Sequence, residues 1–158
     1  MNKKILTTVL GKIPYGLYLI SSKTEHGVAT IIVTWVCQVS FTPPLVSVSI
    51  EKDSEMRVHI ERSRYFSINM LAEDSVDFAK GILKKSGSHN SNINGKETIL
   101  TKNGTPFLKE AVASFECKVV EWISTGDHVL FIGEVLESIC SDSRSILTLA
   151  ATGWKYAR

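Results

Sequence analysis

Six short runs rich in Val, Ile, Thr and aromatic residues limit most strongly how this chain can fold. Each run has the length of a β-strand and is bounded by Gly, Pro or polar turn residues. The runs cover residues 15–22, 28–36, 45–51, 65–71, 113–123 and 129–139. Most of them follow one another too closely for helical crossovers between parallel strands. The sequence therefore predicts a mainly β fold, a mostly antiparallel barrel.

Two local patterns strengthen this prediction. In LVSVSIE at 45–51, Val48 and Ile50 alternate with Ser47 and Ser49, which is typical of a strand with one buried face. The last two runs are separated by Ser-Thr-Gly-Asp at 124–127, a sequence that favours a turn. These two runs are expected to form a long hairpin.

Helices are expected only at the edge of the barrel. Asp53 or Ser54 can cap a helix that runs to Arg62, and Asp74 or Ser75 can cap a second one that runs to Lys85. The stretch SGSHNSNIN at 86–94 is polar and has no apolar period, so it is predicted to be a surface loop.

Length and composition limit the class of protein. The 158 residues predict a single domain, 1–158, and a net charge of +2 with scattered basic residues argues against nucleic-acid binding. Three cysteines without a C-x-x-C pair predict neither disulfides nor a zinc site, and Cys37 is expected to be buried. No run reaches the roughly 18 apolar residues of a membrane span, and the first ten residues do not resemble a signal peptide. A cytoplasmic protein is expected.

Familiar catalytic motifs are missing from the sequence. It contains no G-x-S-x-G, H-E-x-x-H, G-x-x-x-x-G-K-[ST] or G-x-G-x-x-G, which removes the usual evidence for α/β-hydrolases, zincins, P-loop enzymes and Rossmann dehydrogenases. The four histidines, 26, 59, 89 and 128, lack metal-ligand spacing, so no metal site is predicted.

The most informative segment is 34–54, in which a Pro-Pro turn joins two strands and a helix follows. A helix N-terminus beside Lys52 and several hydroxyl groups is suited to bind a phosphate monoester. The alternative is that Ser47 and Ser49 form the solvated face of a strand and Ser54 is an ordinary helix cap.

Four spaced blocks resemble one family. They are P-Y-G-L-Y-L-I-S-S at 14–22, T-W-V-x-Q-V-S-F-x-P-P-L-V-x-V-S-I-x-K-x-S at 34–54, F-x-I-N-M-L at 66–71 and G-D-H-x-L-F-x-G-E-V at 126–135. In this order they resemble the flavin reductase-like group of FMN-binding split-barrel proteins, which includes flavoredoxin and the flavin domain of high-molecular-weight rubredoxin. The resemblance favours the phosphate-site interpretation.

The resemblance implies a fold, a cofactor and an activity. The fold is a six-stranded antiparallel split β-barrel of Greek-key type with two or three short peripheral helices, and a homodimer binds FMN non-covalently near its interface. Electrons pass from NADH, NADPH or a redox protein partner through FMN to free flavin, rubredoxin, a ferric chelate or oxygen. The alternatives are an electron carrier of flavoredoxin type, reduced only by a partner protein, and a barrel that binds haem.

Site residues also follow from the resemblance. His128 is expected to contact the bound nicotinamide or substrate, and it need not serve as an acid or base, because hydride moves directly from nicotinamide to flavin. Lys52 and Ser54 are expected to bind the phosphate. The whole set of expected cofactor-binding residues is Ile32, Val33, Thr34, Trp35, Val36, Gln38, Ser40, Ser49, Ile50, Glu51, Lys52, Ser54, Met56 and Arg57.

The sequence departs from the family at two positions. Relatives often have Thr-Ala-Asn or Thr-Ala-Ser where this chain has Ile32-Val33-Thr34, and threonine is common at the position of Met56. Side-chain hydroxyls are thus missing at residues 32 and 56, whereas backbone N–H contacts do not depend on the side chain.

Overall fold

The computed structural model describes residues 2–84, 92–141 and 143–154. This part of the chain contains ten strands and four helices, so the mainly β fold predicted from the sequence is confirmed. In chain order the elements are α1 (Lys3–Leu10), β1 (Tyr18–Thr24), β2 (Gly27–Val33), β3 (Val36–Ser40), β4 (Leu45–Glu51), α2 (Glu55–Ser63), β5 (Tyr65–Met70), α3 (Val76–Lys84), β6 (Asn92–Ile93), β7 (Lys96–Leu100), β8 (Pro106–Leu108), β9 (Ala113–Ser124), β10 (His128–Cys140) and α4 (Leu149–Thr152).

Seven antiparallel strands form the main sheet in the order β2-β1-β5-β9-β10-β4-β3. Strands β2 and β3 lie at opposite edges of this sheet, yet only Thr34 and Trp35 separate them along the chain. The sheet must therefore curl until its two edges come close together. Because β2 and β3 do not pair within the described residues, the barrel is split at this junction.

The predicted strand at 28–36 is two strands in the structure. Apart from Thr30 and Thr34 the run is apolar, and threonine is common within strands, so its composition gives no sign of the break at Thr34 and Trp35, which the closure of the barrel imposes. As a result the main sheet has seven strands instead of six, and a second sheet, β6-β7-β8, adds three more.

Two hydrophobic clusters lie on the two faces of the main sheet. The cluster inside the barrel includes Ile20, Val48, Phe66 and Phe131. The second cluster lies beneath α3 and β8 and contains Leu19, Leu71, Ile82, Ile93, Leu108 and Leu147. Successive residues of β1, such as Leu19 and Ile20, contribute to different clusters because side chains alternate between the faces of a strand.

Both predicted helices are present. Ser54 caps α2 through a hydrogen bond from the backbone N–H of Met56, and α2 packs against β1 and β2. Helix α3 ends at Lys84, and Lys85 lies outside the described residues. Helices α1 and α4 were not predicted. No helix in the described ranges is long and apolar enough to cross a membrane.

The predicted surface loop at 86–94 is only partly described. Residues 86–91 lie outside the described residues, whereas Asn92 and Ile93 form β6. The loop prediction is wrong at these two residues. Ile93 is fully buried in the second cluster, and a single apolar residue in a polar stretch produces no periodic pattern.

The prediction that Cys37 is buried is wrong. It lies on the edge strand β3 and is exposed, as is Cys140, whereas Cys117 lies in the barrel core. Burial, and secondarily the charge of Glu116, raises the pKa of the Cys117 thiol to about 12.

We expect a thiol reagent at pH 8 to modify Cys37 and Cys140 but to spare Cys117. A buried thiol with a raised pKa stays protonated at this pH and is not nucleophilic. Mass spectrometry after labelling with iodoacetamide, with and without denaturant, measures the result. Modification of Cys117 in the folded protein at the rate of the other two would contradict the prediction.

Candidate functional site

The split in the barrel brings two of the predicted segments together. The backbone N–H of Ser49 donates a hydrogen bond to the Trp35 carbonyl at 3.1 Å, which joins β4 to the β2–β3 junction. The Trp35 ring lies 4.6 Å, centre to centre, from the ring of His128 at the start of β10. Trp35 and His128, which are far apart in the sequence, therefore share one wall of the candidate site.

Hydrogen bonds fix the turn that carries His128. The backbone N–H and the hydroxyl of Thr125 both donate to the His128 carbonyl, at 3.0 and 2.9 Å. Nδ1 of the largely buried His128 lies 2.6 Å from Oδ1 of Asp127. This contact occupies Nδ1 and leaves Nε2 as the ring nitrogen that can meet a ligand.

Lys52 connects this turn to the N-terminus of α2. Its backbone N–H donates to the Asp127 carbonyl at 3.0 Å, and its ammonium donates to the Gly126 carbonyl at 2.7 Å. An ammonium group has three N–H donors, so this single side-chain bond does not exhaust its capacity. Ser54 follows two residues later as the cap of α2, where the helix dipole favours an anion.

Arg57 is engaged within the protein. Its Nε donates to the Lys52 carbonyl at 2.8 Å, and Nη1 lies 2.9 Å from both carboxylate oxygens of Glu61. The guanidinium therefore braces the loop before α2, and in this arrangement its Nε and Nη1 are not directed at a ligand.

Some predicted site residues can offer a ligand only their backbone. Val33, Ile50 and Met56 are buried in the barrel core, and Ile32 packs against the second cluster. Val36 also packs against the core.

The predicted residues of β3 and β4 lie on the edge strand of the main sheet and on the strand beside it. Gln38 and Ser40 lie farther along β3, where Gln38 Nε2 donates to the Ser40 carbonyl at 3.2 Å. Glu51 pairs with His128 across β4 and β10. The junction, the loop before α2 and the histidine turn thus form one group, from which Gln38 and Ser40 stand apart.

One buried hydroxyl group at the junction has no partner among the described residues. Oγ1 of Thr34 is inaccessible to solvent and makes no hydrogen bond there. Burying a hydroxyl without a partner is unfavourable by about 1–3 kcal/mol. A ligand with polar atoms beside the strand would satisfy it, so the junction fits the polar edge or the ribityl chain of a flavin.

A cavity of about 810 Å³ adjoins the loop before α2. Of the predicted residues it includes Glu51, Ser54 and Met56. The remaining lining residues were not in the predicted set, and they come from β1 and β2 with the turn between them, from the loop before α2 and from α2 itself: Lys23, Thr24, Glu25, His26, Ala29, Thr30, Ile31, Asp53, Glu55, His59, Arg62 and Ser63. No local motif in the sequence marks them, because the pairing of β1 with β2 and the packing of α2 bring them together.

Comparison with known proteins places the chain in a family. The family model described as "Flavin reductase like domain" matches residues 10–155. This chain belongs to the flavin reductase-like family. The match includes both the β2–β3 junction and the histidine turn, so the two parts of the candidate site lie within one family domain.

Three similar proteins illustrate the range of this flavin reductase-like family. The ferric-chelate reductase (NAD(P)H) of Archaeoglobus fulgidus is 28% identical over 141 residues, which cover 88% of this chain and 83% of that protein. The crystal structure of flavin reductase PheA2 is 27% identical, with a TM-score of 0.80, over 94% of this chain and 93% of that one. Diflavin flavoprotein A 1 of Synechocystis sp. is 29% identical over 131 residues, 82% of this chain. This chain spans only about a quarter of that relative, 23% of its length.

Proposed function

We propose that this flavin reductase-like domain binds FMN non-covalently and transfers electrons from NADH or NADPH to an acceptor. The observation that carries the proposal is the junction at Thr34 and Trp35, where an unpartnered buried hydroxyl lies beside the strand and the Trp35 ring contacts His128. Similarity to a ferric-chelate reductase (NAD(P)H) and to a flavin reductase supports the reaction class. Free flavin, a ferric chelate, rubredoxin and oxygen are all acceptors of the appropriate chemistry.

Two parts of the site would hold the cofactor. The Thr34 hydroxyl and the backbone of residues 32–36 would bind the ring system and ribityl chain. Lys52 and the N-terminus of α2 at Ser54 would bind the phosphate through charge-assisted hydrogen bonds. Four carboxylates line the adjacent cavity against two lysine or arginine side chains, and three of the four lie within three residues of Ser54. A phosphate at the helix terminus therefore depends on the positive charge of Lys52.

The protein's own role is to bind and orient. A bound flavin supplies the hydride acceptor and the electronics of the transfer. His128, held by Asp127 through Nδ1 and packed against Trp35, presents Nε2 to the reductant and keeps it aligned. No side chain needs to gain or lose a proton for hydride to move, so His128 contributes position.

Replacing His128 with alanine is expected to slow reduction by NADH or NADPH about 10-fold and to leave FMN affinity unchanged. The estimate corresponds to the loss of one oriented hydrogen bond, about 1.5 kcal/mol. Anaerobic stopped-flow absorbance measures the reduction rate, and fluorescence titration measures FMN affinity. The control is His26→Ala, which removes an imidazole from the β1–β2 turn and not from the turn before β10. Unchanged reduction kinetics in His128→Ala would mean that His128 has only a structural role.

The absorbance spectrum of the purified protein, reconstituted with FMN if colourless, is the direct test of the proposed function. A flavin spectrum that NADH or NADPH bleaches rapidly and saturably supports a reductase. A spectrum that persists until a reduced redox protein is added supports the second candidate, a flavin electron carrier. Failure to bind FMN would contradict both.

We also propose that two copies of the chain associate as a homodimer. Several large apolar side chains are exposed, among them Val39 on β3, Val120 and Ile123 on β9, and Phe41, which directly follows β3 and is 88% exposed. Ile5, Val9 and Leu10 of α1 are exposed as well. Exposed apolar surface of this kind is typical of interfaces. Light scattering of the protein in solution tests this, and a monomer at all concentrations would contradict it.

A further inference from the structure

Two successive carbonyl groups of the turn before β10 accept hydrogen bonds from the same residue. The Asp127 carbonyl accepts from the backbone N–H of Lys52, and the Gly126 carbonyl accepts from its ammonium at 2.7 Å. The first bond joins two backbones. The second depends entirely on a flexible side chain.

The backbone at Lys52 is braced by side chains of α2, whereas the turn at Gly126 is not. On the side of α2, the Lys52 carbonyl accepts from Arg57, whose guanidinium is paired with Glu61. On the side of the turn, a side chain at Gly126 would meet nothing within 4 Å. Because this side of Gly126 faces open space, hydrogen bonds hold the turn there: those from Thr125 to the His128 carbonyl close it, and the bond from the Lys52 ammonium holds the Gly126 carbonyl. The ammonium of Lys52 is therefore well placed to control the order of this turn.

We propose that Lys52 is a positioning residue that couples the binding of a phosphate monoester at the N-terminus of α2 to the order of the turn that carries His128. This inference rests on the proposed function in taking FMN as the phosphate ligand. The ammonium donates to the Gly126 carbonyl and, with its remaining N–H donors, to the phosphate. A bound phosphate then holds the ammonium in place, and the ammonium holds the Gly126 carbonyl. This order extends to His128, which lies two residues further along the chain. By linkage, the ordered turn strengthens phosphate binding by the same factor.

The test compares Lys52→Met, which keeps the four-atom stem of the side chain but removes the ammonium donor, with Lys52→Arg, which keeps a donor. Lys23→Met is the control, because Lys23 lines the cavity beside the loop before α2 but forms no hydrogen bond with the turn among the described residues. The readout is the hydrogen-exchange rate of the Thr125 amide, which donates to the His128 carbonyl, measured by NMR. Each protein is studied alone, with FMN and with riboflavin, which lacks the phosphate.

We expect the Thr125 amide to exchange about 5- to 10-fold faster in ligand-free Lys52→Met than in the wild type, which corresponds to one lost hydrogen bond. In Lys52→Arg and Lys23→Met it should exchange at the wild-type rate. FMN should slow this exchange in the wild type, whereas riboflavin should not, and FMN should have no such effect in Lys52→Met. FMN affinity should fall about 10- to 100-fold in Lys52→Met while riboflavin affinity is unchanged.

Two outcomes would overturn the inference while leaving the proposed function intact: equal Thr125 exchange in ligand-free Lys52→Met and wild type, or equal protection of the turn by riboflavin and FMN. If the wild type binds no FMN, the proposed function and the coupling both fail. The ligand-free comparison then still decides whether Lys52 positions the turn.

Discussion

Replacing Glu116 with alanine is expected to lower the free energy of unfolding by about 3–5 kcal/mol, the range for removing one partner from a buried charged network. Glu116 is almost completely buried on β9. Its carboxylate accepts hydrogen bonds from the hydroxyls of Thr101 and Thr105 and from the amide of Asn103, the last two at 2.7 Å. Alanine would leave all three donors without this acceptor, and hydrogen bonds to a charged group are among the strongest in proteins.

The loss of the Glu116 side chain should also affect neighbouring strands, because Glu116 belongs to a row of polar residues that crosses the main sheet. It pairs with Ser67 on β5, which pairs with Ser21 on β1, which pairs with Thr30 on β2. This polar row crosses four strands, and the Ser67 hydroxyl donates to the Pro106 carbonyl at 2.7 Å. Glu116 and Ser67 thus fasten the segment between β7 and β8 to the main sheet.

Chemical denaturation monitored by fluorescence measures the change. Glu121→Ala is the control, since Glu121 is exposed on the same strand and its loss should change stability by no more than about 0.5 kcal/mol. Glu116→Gln should destabilise by an intermediate amount, because its amide keeps one acceptor oxygen but turns an N–H₂ group towards a donor. Equal stability of Glu116→Ala and Glu121→Ala would show that the network does not hold the two sheets together.

The fold could be predicted from the sequence where the pattern was local. Strand β4 has the predicted bounds, 45–51, because apolar residues alternate with polar ones along the run, although Ser47 is buried like its apolar neighbours. Ser54, one of the two residues predicted to cap α2, is the cap in the structure, because capping is decided within three residues. The break between β2 and β3 and the two-residue strand β6 could not be predicted, since barrel closure and the burial of Ile93 decide them.

The same distinction holds for the candidate site: residues within a local sequence block could be predicted, whereas contacts between distant residues could not. The segment at 32–57 and His128 were found because each lies in a recognisable block, and their roles stay predictions. The bond from Lys52 to Gly126, the contact of Trp35 with His128 and the wall formed by His59 and Arg62 depend on residues far apart in the chain. The family resemblance named the residues but not these contacts, and the positioning role proposed for Lys52 rests on the first of them.

Replacing Gly133 with valine is the second change expected to have a large effect, about 3 kcal/mol of destabilisation, at the upper end of the range for overpacked cores. Gly133 lies in the middle of β10, opposite Val119 on β9. A Cβ atom there would lie 2.6 Å from Cβ of Cys117 and 2.8 Å from Cζ of Phe66. Both neighbours are completely buried in the barrel core, so neither can move away without disturbing the packing around it.

The matched control for this substitution is Gly126→Ala, because a Cβ at Gly126 meets no atom within 4 Å and its φ lies outside the left-handed region. Thermal and denaturant unfolding should therefore leave Gly126→Ala close to the wild type and shift Gly133→Val strongly. Gly133→Ala separates the Cβ clash from the added volume of valine, and its stability should fall between those of the other two variants.

His128 is the first residue of β10, and the absence of a side chain at Gly133 allows β10 to pack closely against Phe66 and Cys117 in the barrel core. If Gly133→Val were as stable as Gly126→Ala, β10 could shift relative to Phe66 and Cys117, and the fixed placement of His128 against Trp35 would lose its physical basis.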